Sequence, residues 1–212
     1  MIAIVDYGAG NLRSVARAVE QAGVRPLVTS AAEAVARADA LILPGVGAAA
    51  DTMANLRSRG LVAPLREYLA SGRPFLGVCM GLQALLTGSE EAGWHECLDV
   101  VPGRVKRFPT GMTVPHMGWN QVVRRREHPV FAGIPDGANF YFVHSYYCAP
   151  EDDAVVLATT EYGQPFPSVL ARDNWLATQF HPEKSGQHGL RLYRNFLEWA
   201  GALEPTTTAA RR

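Results

Sequence analysis

The sequence predicts an α/β protein: a doubly wound, mostly parallel sheet with helices on both faces, and an antiparallel extension in the C-terminal half. Three observations carry this. Short continuous apolar runs at Ile2–Val5, Ala40–Leu43 and residues 74–78 have the character of strands buried on both faces. Stretches with a helical apolar period lie between them, which is the alternation of right-handed βαβ units. From about residue 100 the texture changes to shorter strand-like runs.

The elements follow in order. Ile2–Val5 is a strand bounded by Asp6 and glycines. Residues 11–21 place Leu12, Val15, Ala16 and Val19 on one helical face, with Asn11 able to cap the start and Gly23 to stop the end. Residues 26–29 form a second short strand candidate, and the alanine-rich residues 31–38 a helix. Ala40–Leu43 runs into Pro44-Gly45-Val46-Gly47, a turn whose glycines permit close backbone approach and positive φ. Residues 51–59 and 61–71 are predicted helices separated by Gly60, and residues 74–78 are the strand that leads to Cys79.

In the second half, strand-like runs at 104–108, 121–125, 140–143, 155–160, 168–171 and 175–180 are assigned to the antiparallel extension. Residues 187–200 form the closing helix, packing through Leu190, Tyr193, Leu197 and Trp199. With no internal repeat or linker, residues 1–203 are expected to be one domain, and residues 204–212 a disordered tail. Ligands of a doubly wound sheet sit outside the carboxyl ends of its strands, so the loops at 6–11, 44–51 and 77–83 are expected on one rim.

Composition narrows the function classes. Twenty basic residues against twenty acidic ones leave no net charge among 212 residues, so nothing in the bulk electrostatics recommends a nucleic acid or a membrane surface. Cys79, Cys97 and Cys148 are an odd number without paired short spacings, against a disulfide framework or a zinc site and for a reducing compartment, the cytoplasm. No signal peptide is expected, because Asp6 interrupts the N-terminal apolar run at once, and no run approaches membrane-spanning length. Gly8-x-Gly10 has Arg13 where a dinucleotide fingerprint needs its third glycine. Gly45-x-Gly47-x-x-Ala50 fits that fingerprint better, but the next strand ends at Val78-Cys79 without an acidic residue for a ribose. No phosphate-loop pattern is present.

Two motifs carry chemistry. Gly77-Val78-Cys79-Met80-Gly81 falls at a strand-to-helix junction, where a sharp turn exposes the sulfur and small neighbours admit a substrate carbonyl. The start of the following helix favours a thiolate, the attacking form. By itself the motif equally suits a buried core cysteine beside turn glycines. The second is His181-Pro182-Glu183, after the apolar stretch 175–177. A histidine and a carboxylate two residues apart in an extended segment project from the same side, which suits a base and its orienter. Alone it would be a surface histidine near a turn proline; beside a mounted cysteine it becomes a base.

Together, Gly77-x-Cys79-x-Gly81 and His181-Pro182-Glu183 resemble the class I glutamine amidotransferases, with their flavodoxin-like fold and Cys-His-Glu triad. Asp6-Tyr7-Gly8-Ala9-Gly10-Asn11, Pro44-Gly45-Val46-Gly47, Pro115-His116-Met117-Gly118-Trp119-Asn120 and His144-Ser145-Tyr146 are similar to the glutaminase subunits of imidazole glycerol phosphate synthase, a likeness spanning residue 2 to about 199. The resemblance implies that Cys79 is the nucleophile, His181 the general base and acid, and Glu183 its orienter. It implies an oxyanion hole from Met80 and the turn at Val46 and Gly47, and substrate binding by Gly47, Gln83, Ser145 and Tyr146. It puts Asn11, His116, Trp119, Asn120 and Lys184 at the surface that meets a (β/α)8-barrel cyclase subunit, with no cofactor and no metal.

The activity so implied is hydrolysis of L-glutamine to glutamate and ammonia, passed to the cyclase in histidine biosynthesis. A glutaminase serving another synthase, such as that of pyridoxal phosphate synthesis, and a non-catalytic scaffold are the alternatives. His95, His128 and His188 are expected to be solvated, His144 to be structural near the pocket, and Cys97 and Cys148 to be packing residues.

Overall fold

The computed structural model describes residues 1–204. Of the tail expected over 204–212, all but Glu204 lies outside the described residues. The described residues form a nine-stranded sheet, numbered along the chain and ordered β2 (Leu27–Thr29), β1 (Ile2–Val5), β3 (Ala40–Leu43), β4 (Phe75–Val78), β13 (Trp175–Thr178), β12 (Pro165–Arg172), β11 (Val156–Glu161), β8 (His116–Arg124) and β9 (Ala138–His144). The first five strands pair in parallel, and pairing turns antiparallel from β12 onward.

The period of two along β1 decides the two faces. Ile2 and Ile4 join Ile42 and Leu76 in a core covered by α1 (Leu12–Gln21) and α6 (Gly186–Trp199), while Ala3 and Val5 face a second core with α2 (Ala32–Arg37), α3 (Ala49–Ser58) and α4 (Val62–Ala70). Asn11 caps α1 as expected, its side chain accepting from Ser14 N–H at 3.3 Å.

Three expectations change. The run 175–180 is not part of the antiparallel extension alone, because β13 pairs in parallel with β4. The run 104–108 leaves the main sheet: β7 (Val101–Arg107) lies in a separate four-stranded sheet ordered β10 (Tyr146–Pro150), β7, β5 (Leu86–Ser89) and β6 (His95–Glu96). The strands β5, β6 and β10 went unread because they are short and mix polar with apolar residues, so they carry no period of their own. The strand expected from residue 121 begins at His116.

Candidate active site

The parallel pairing of β4 with β13 builds the site. Val78 is in register with Thr178, and Cys79 N–H donates to Thr178 O at 2.7 Å, so the residues just beyond both strand ends meet on one rim. Cys79 has φ 54° and ψ −104°, a conformation that costs a non-glycine residue roughly 1–3 kcal/mol. A single helical turn follows, α5 (Met80–Gln83).

The flanking glycines have a packing reason, where substrate access was expected. A Cβ on Gly81 would lie 1.9 Å from Leu43 O, and one on Gly77 would lie 2.7 Å from Gly81 O. Gly45 is crowded the same way, 2.4 Å from Tyr7 Oη and 2.6 Å from Met80 Cβ. The elbow is thus pressed against the end of β3 and its following turn, which brings two of the three expected loops together. Gly10 brings in the third, its added Cβ being 3.7 Å from Gly45 Cα.

His181 is reached three residues after β13, and its N–H donates to Tyr141 O at 2.9 Å. Pro182–Lys184 then forms a 3-10 turn, not the extended segment expected, and this turn folds Glu183 back onto the imidazole. Nδ1 lies 2.8 Å from Glu183 Oε1, so this nitrogen carries the proton and the buried Nε2 is left for Cys79, the other side chain that acts on the imidazole. Burial by itself would lower the His181 pKa, but Cys79 and Glu183 outweigh it and raise it to about 10. An imidazolium is favoured wherever both neighbours are anionic.

A cavity of about 250 Å³ opens over this pair and is lined by Val46, Gly47, Met80, Gln83, Ser145 and Tyr146, the residues expected for oxyanion and substrate binding. Two details go beyond the expectation. Met80 N–H is directed at Gly45 O, a long contact of 3.5 Å, and Gln83 Nε2 is already bonded to Tyr146 O and Gln179 Oε1, each at 3.1 Å. Sequence reasoning missed Glu91, which also lines the cavity and accepts from Ala49 N–H at the start of α3 at 2.7 Å. No motif surrounds Glu91; only the fold of the second sheet brings it here.

The residues expected at a partner surface divide. Asn11 and Lys184 are exposed, as is Trp119 at 58%, and Trp119 and Lys184 flank the ring of Tyr141. Asn120 is half-buried. His116 is buried, against the expectation of an exposed aromatic cluster, because alternation along β8 turns it inward onto Phe142 and Tyr162 while Met117 and Trp119 face out.

Its Nδ1 is 3.0 Å from His144 Nε2, and burial lowers the pKa of His116 to about 4 and that of His144 to about 3. His95, His128 and His188, expected to be solvated, are half-buried; His128 Nδ1 accepts from Val130 N–H at 3.2 Å. Cys97 and Cys148 are buried free thiols whose pKa values burial pushes up, Cys97 to about 11, as suits packing residues. Among the described residues no group of three or more His, Cys, Asp or Glu could hold a metal ion, and no helix is long and apolar enough to cross a membrane.

A cysteine on a strand-to-helix elbow, an imidazole beside it and a carboxylate behind the imidazole can together carry acyl transfer through a covalent intermediate. Comparison with known proteins points the same way. The family described as "Glutamine amidotransferase class-I" matches residues 3–199. The imidazole glycerol phosphate synthase subunit HisH of Chloroflexus aurantiacus is 53% identical over 209 residues, covering 97% of this chain and 99% of the relative. The subunit of the same description from Desulfitobacterium hafniense is 47% identical and covers 100% of both. Among solved structures, a crystal structure of a glutamine amidotransferase superposes with TM-score 0.75 at 23% identity over 95% of this chain and 100% of the other, which supports the fold.

Proposed function

The chain belongs to the class-I glutamine amidotransferases and, among them, to the HisH subunits of imidazole glycerol phosphate synthase, and on that premise we propose that it hydrolyses L-glutamine through a thioester on Cys79. The observation that carries the mechanism is the buried pair His181 Nδ1 to Glu183 Oε1 at 2.8 Å, which leaves Nε2 for Cys79.

In this reading the Cys79 sulfur attacks the side-chain amide carbon of glutamine while His181 holds the thiol proton. The C–N bond breaks as His181 delivers that proton to the departing nitrogen, and ammonia leaves. Water then attacks the thioester, His181 takes its proton, and the C–S bond breaks to give glutamate and free Cys79. Glu183 keeps the imidazole in one tautomer and stabilises its protonated form. The oxyanion is held by Met80 N–H and by the turn at Val46 and Gly47, which requires Met80 N–H to exchange its long contact with Gly45 O for the substrate. Gly47, Gln83, Ser145 and Tyr146 hold the amino-acid end of glutamine. Glu91 adds a carboxylate suited to its α-ammonium group.

The ammonia goes to a synthase partner that we take to be a (β/α)8-barrel cyclase building imidazole glycerol phosphate for histidine biosynthesis, in the cytoplasm and without a cofactor in this chain. Residues 1–203 are the glutamine amidotransferase domain. Glutamate release from the assembled synthase tests the reading. Cys79→Ala is expected to abolish glutamine-dependent turnover and leave turnover with added ammonia intact. Glutamate release by that variant at the parental rate would overturn the assignment of the nucleophile.

A further inference from the structure

Gln179 is fully buried two residues before His181, and its Nε2 lies 3.8 Å from Cys79 Sγ, within reach of an N–H···S hydrogen bond. The direction in which this amide points is dictated from outside. Tyr146 O is a carbonyl and can only accept, so Gln83 must turn its NH2 group toward it, at 3.1 Å. The same NH2 group lies 3.1 Å from Gln179, which must therefore present its oxygen to Gln83 and its own NH2 to the sulfur. With the amide reversed, Gln179 would set nitrogen against nitrogen on one side and a carbonyl oxygen against Cys79 on the other.

Tyr146 O is itself held in place. His144 Nδ1 donates to it at 2.8 Å, leaving His144 Nε2 to accept from His116 Nδ1 at 3.0 Å, and His116 Nε2 to accept from Asn120 Nδ2 at 3.2 Å. Asn120 Nδ2 also donates to Glu161 O at 2.9 Å, which holds the outer end of the chain in place. The chain that fixes the Gln179 amide thus reaches from the half-buried Asn120 inward to the nucleophile.

We propose that Gln179 is a further catalytic residue, a fixed N–H donor to Cys79 Sγ that stands beside His181 as a second stabiliser of charge on sulfur. The inference rests on the reading of Cys79 as the nucleophile. It concerns both ends of the cycle: the donor favours the attacking thiolate, and it favours that thiolate again as leaving group when the thioester is hydrolysed. Because Gln179 does not line the cavity, it contributes little to holding glutamine.

Two variants and two readouts test this. Gln179→Met keeps the volume and removes the donor; Gln179→Glu keeps the oxygen toward Gln83 and turns a carboxylate oxygen to the sulfur. A hydrogen bond to a charged group is worth roughly tenfold or more, so in Gln179→Met iodoacetamide alkylation of Cys79 at pH 7 is expected to slow about tenfold. Glutamate release by the complex with the synthase partner is expected to fall similarly in kcat with KM nearly unchanged. In Gln179→Glu both fall further.

A merely structural role would lower Tm without slowing alkylation of the folded fraction, and that result overturns the proposal. Should Gln179→Met not fold, the isosteric Gln179→Glu decides it by the same alkylation rate. If Cys79→Ala is inactive while both Gln179 variants match the parent, only the role of Gln179 falls. If Cys79→Ala retains activity, the underlying reading falls instead.

Discussion

His181 Nδ1 and Glu183 Oε1 lie 2.8 Å apart with each side chain only 2% exposed, so the imidazole has one orientation and one tautomer available to it. The 3-10 turn at Pro182–Lys184 creates this contact, and in the proposed mechanism Glu183 acts through the imidazole as a positioning residue.

Replacing that carboxylate should therefore act on kcat. Glu183→Gln is expected to lower kcat for glutamate release by about 10²–10⁴-fold, the range typical of a positioned acid–base group, with KM changed far less. Steady-state kinetics on the complex checks this, and a change confined to KM would contradict it.

The elbow should tolerate no side chain at Gly81. The added Cβ meets Leu43 O, a backbone atom that cannot swing away, at 1.9 Å. Gly81→Ala is expected to cost about 1–3 kcal/mol, as overpacking does. It should also abolish glutaminase activity in protein that still folds, because the clash is relieved by moving α5 and with it Cys79. Thermal unfolding and glutamate release, measured on the same sample, check both parts.

The buried histidine pair makes the fold sensitive to acid. Burial lowers the pKa values of His116 and His144 to about 4 and 3, below the ordinary 6.5. A base depressed in the folded state contributes stability that is present above the unfolded pKa and lost as pH falls through the folded one. The urea midpoint is expected to fall from pH 6.5 toward pH 4. In His116→Phe, which keeps an aromatic ring among Phe108, Phe142 and Tyr162, that slope is expected to be shallower.

His181 has the opposite sign. Its pKa is raised to about 10 against the effect of burial by Cys79 and Glu183, so its contribution is complete below about pH 6.5 and is lost as pH rises toward 10. His181→Asn is expected to destabilise the chain more at pH 6.5 than at pH 10. Urea titrations at the two pH values check the difference.

Trp119 and Met117 stand out from β8 at 58% and 62% exposure, on the strand whose inward-facing His116 is hydrogen-bonded to His144. Aromatic side chains of this kind dominate interface energetics. Trp119→Ala is expected to weaken binding of the synthase partner by about 2 kcal/mol, or roughly thirtyfold, with the Tm of the isolated chain nearly unchanged. Calorimetric titration with the partner checks it.

Much of this molecule was legible because its signals are local. The strands β1, β3 and β4 are uninterrupted apolar runs, the glycines around Cys79 mark the elbow, and His181-Pro182-Glu183 sits just past a strand. Strands β5, β6 and β10 were not legible, since their pairing partners supply the reason they are extended. Glu91 and Gln179 were overlooked for a related cause: each is an ordinary polar residue whose meaning lies in what faces it.

The sequence by itself determined the α/β architecture and the residue types of a thiol, an imidazole and a carboxylate, because apolar periods and a cysteine flanked by glycines are properties of contiguous residues. Only the tertiary structure decided how they are aimed. Parallel pairing of β4 with β13 brings Cys79 beside His181, a 3-10 turn in place of an extended segment docks Glu183, and Tyr146 O orients two glutamine amides so that the sulfur meets a donor. Hydrogen-bond direction is set by which atom lies opposite, and in this site those atoms are separated by as many as 100 positions along the chain.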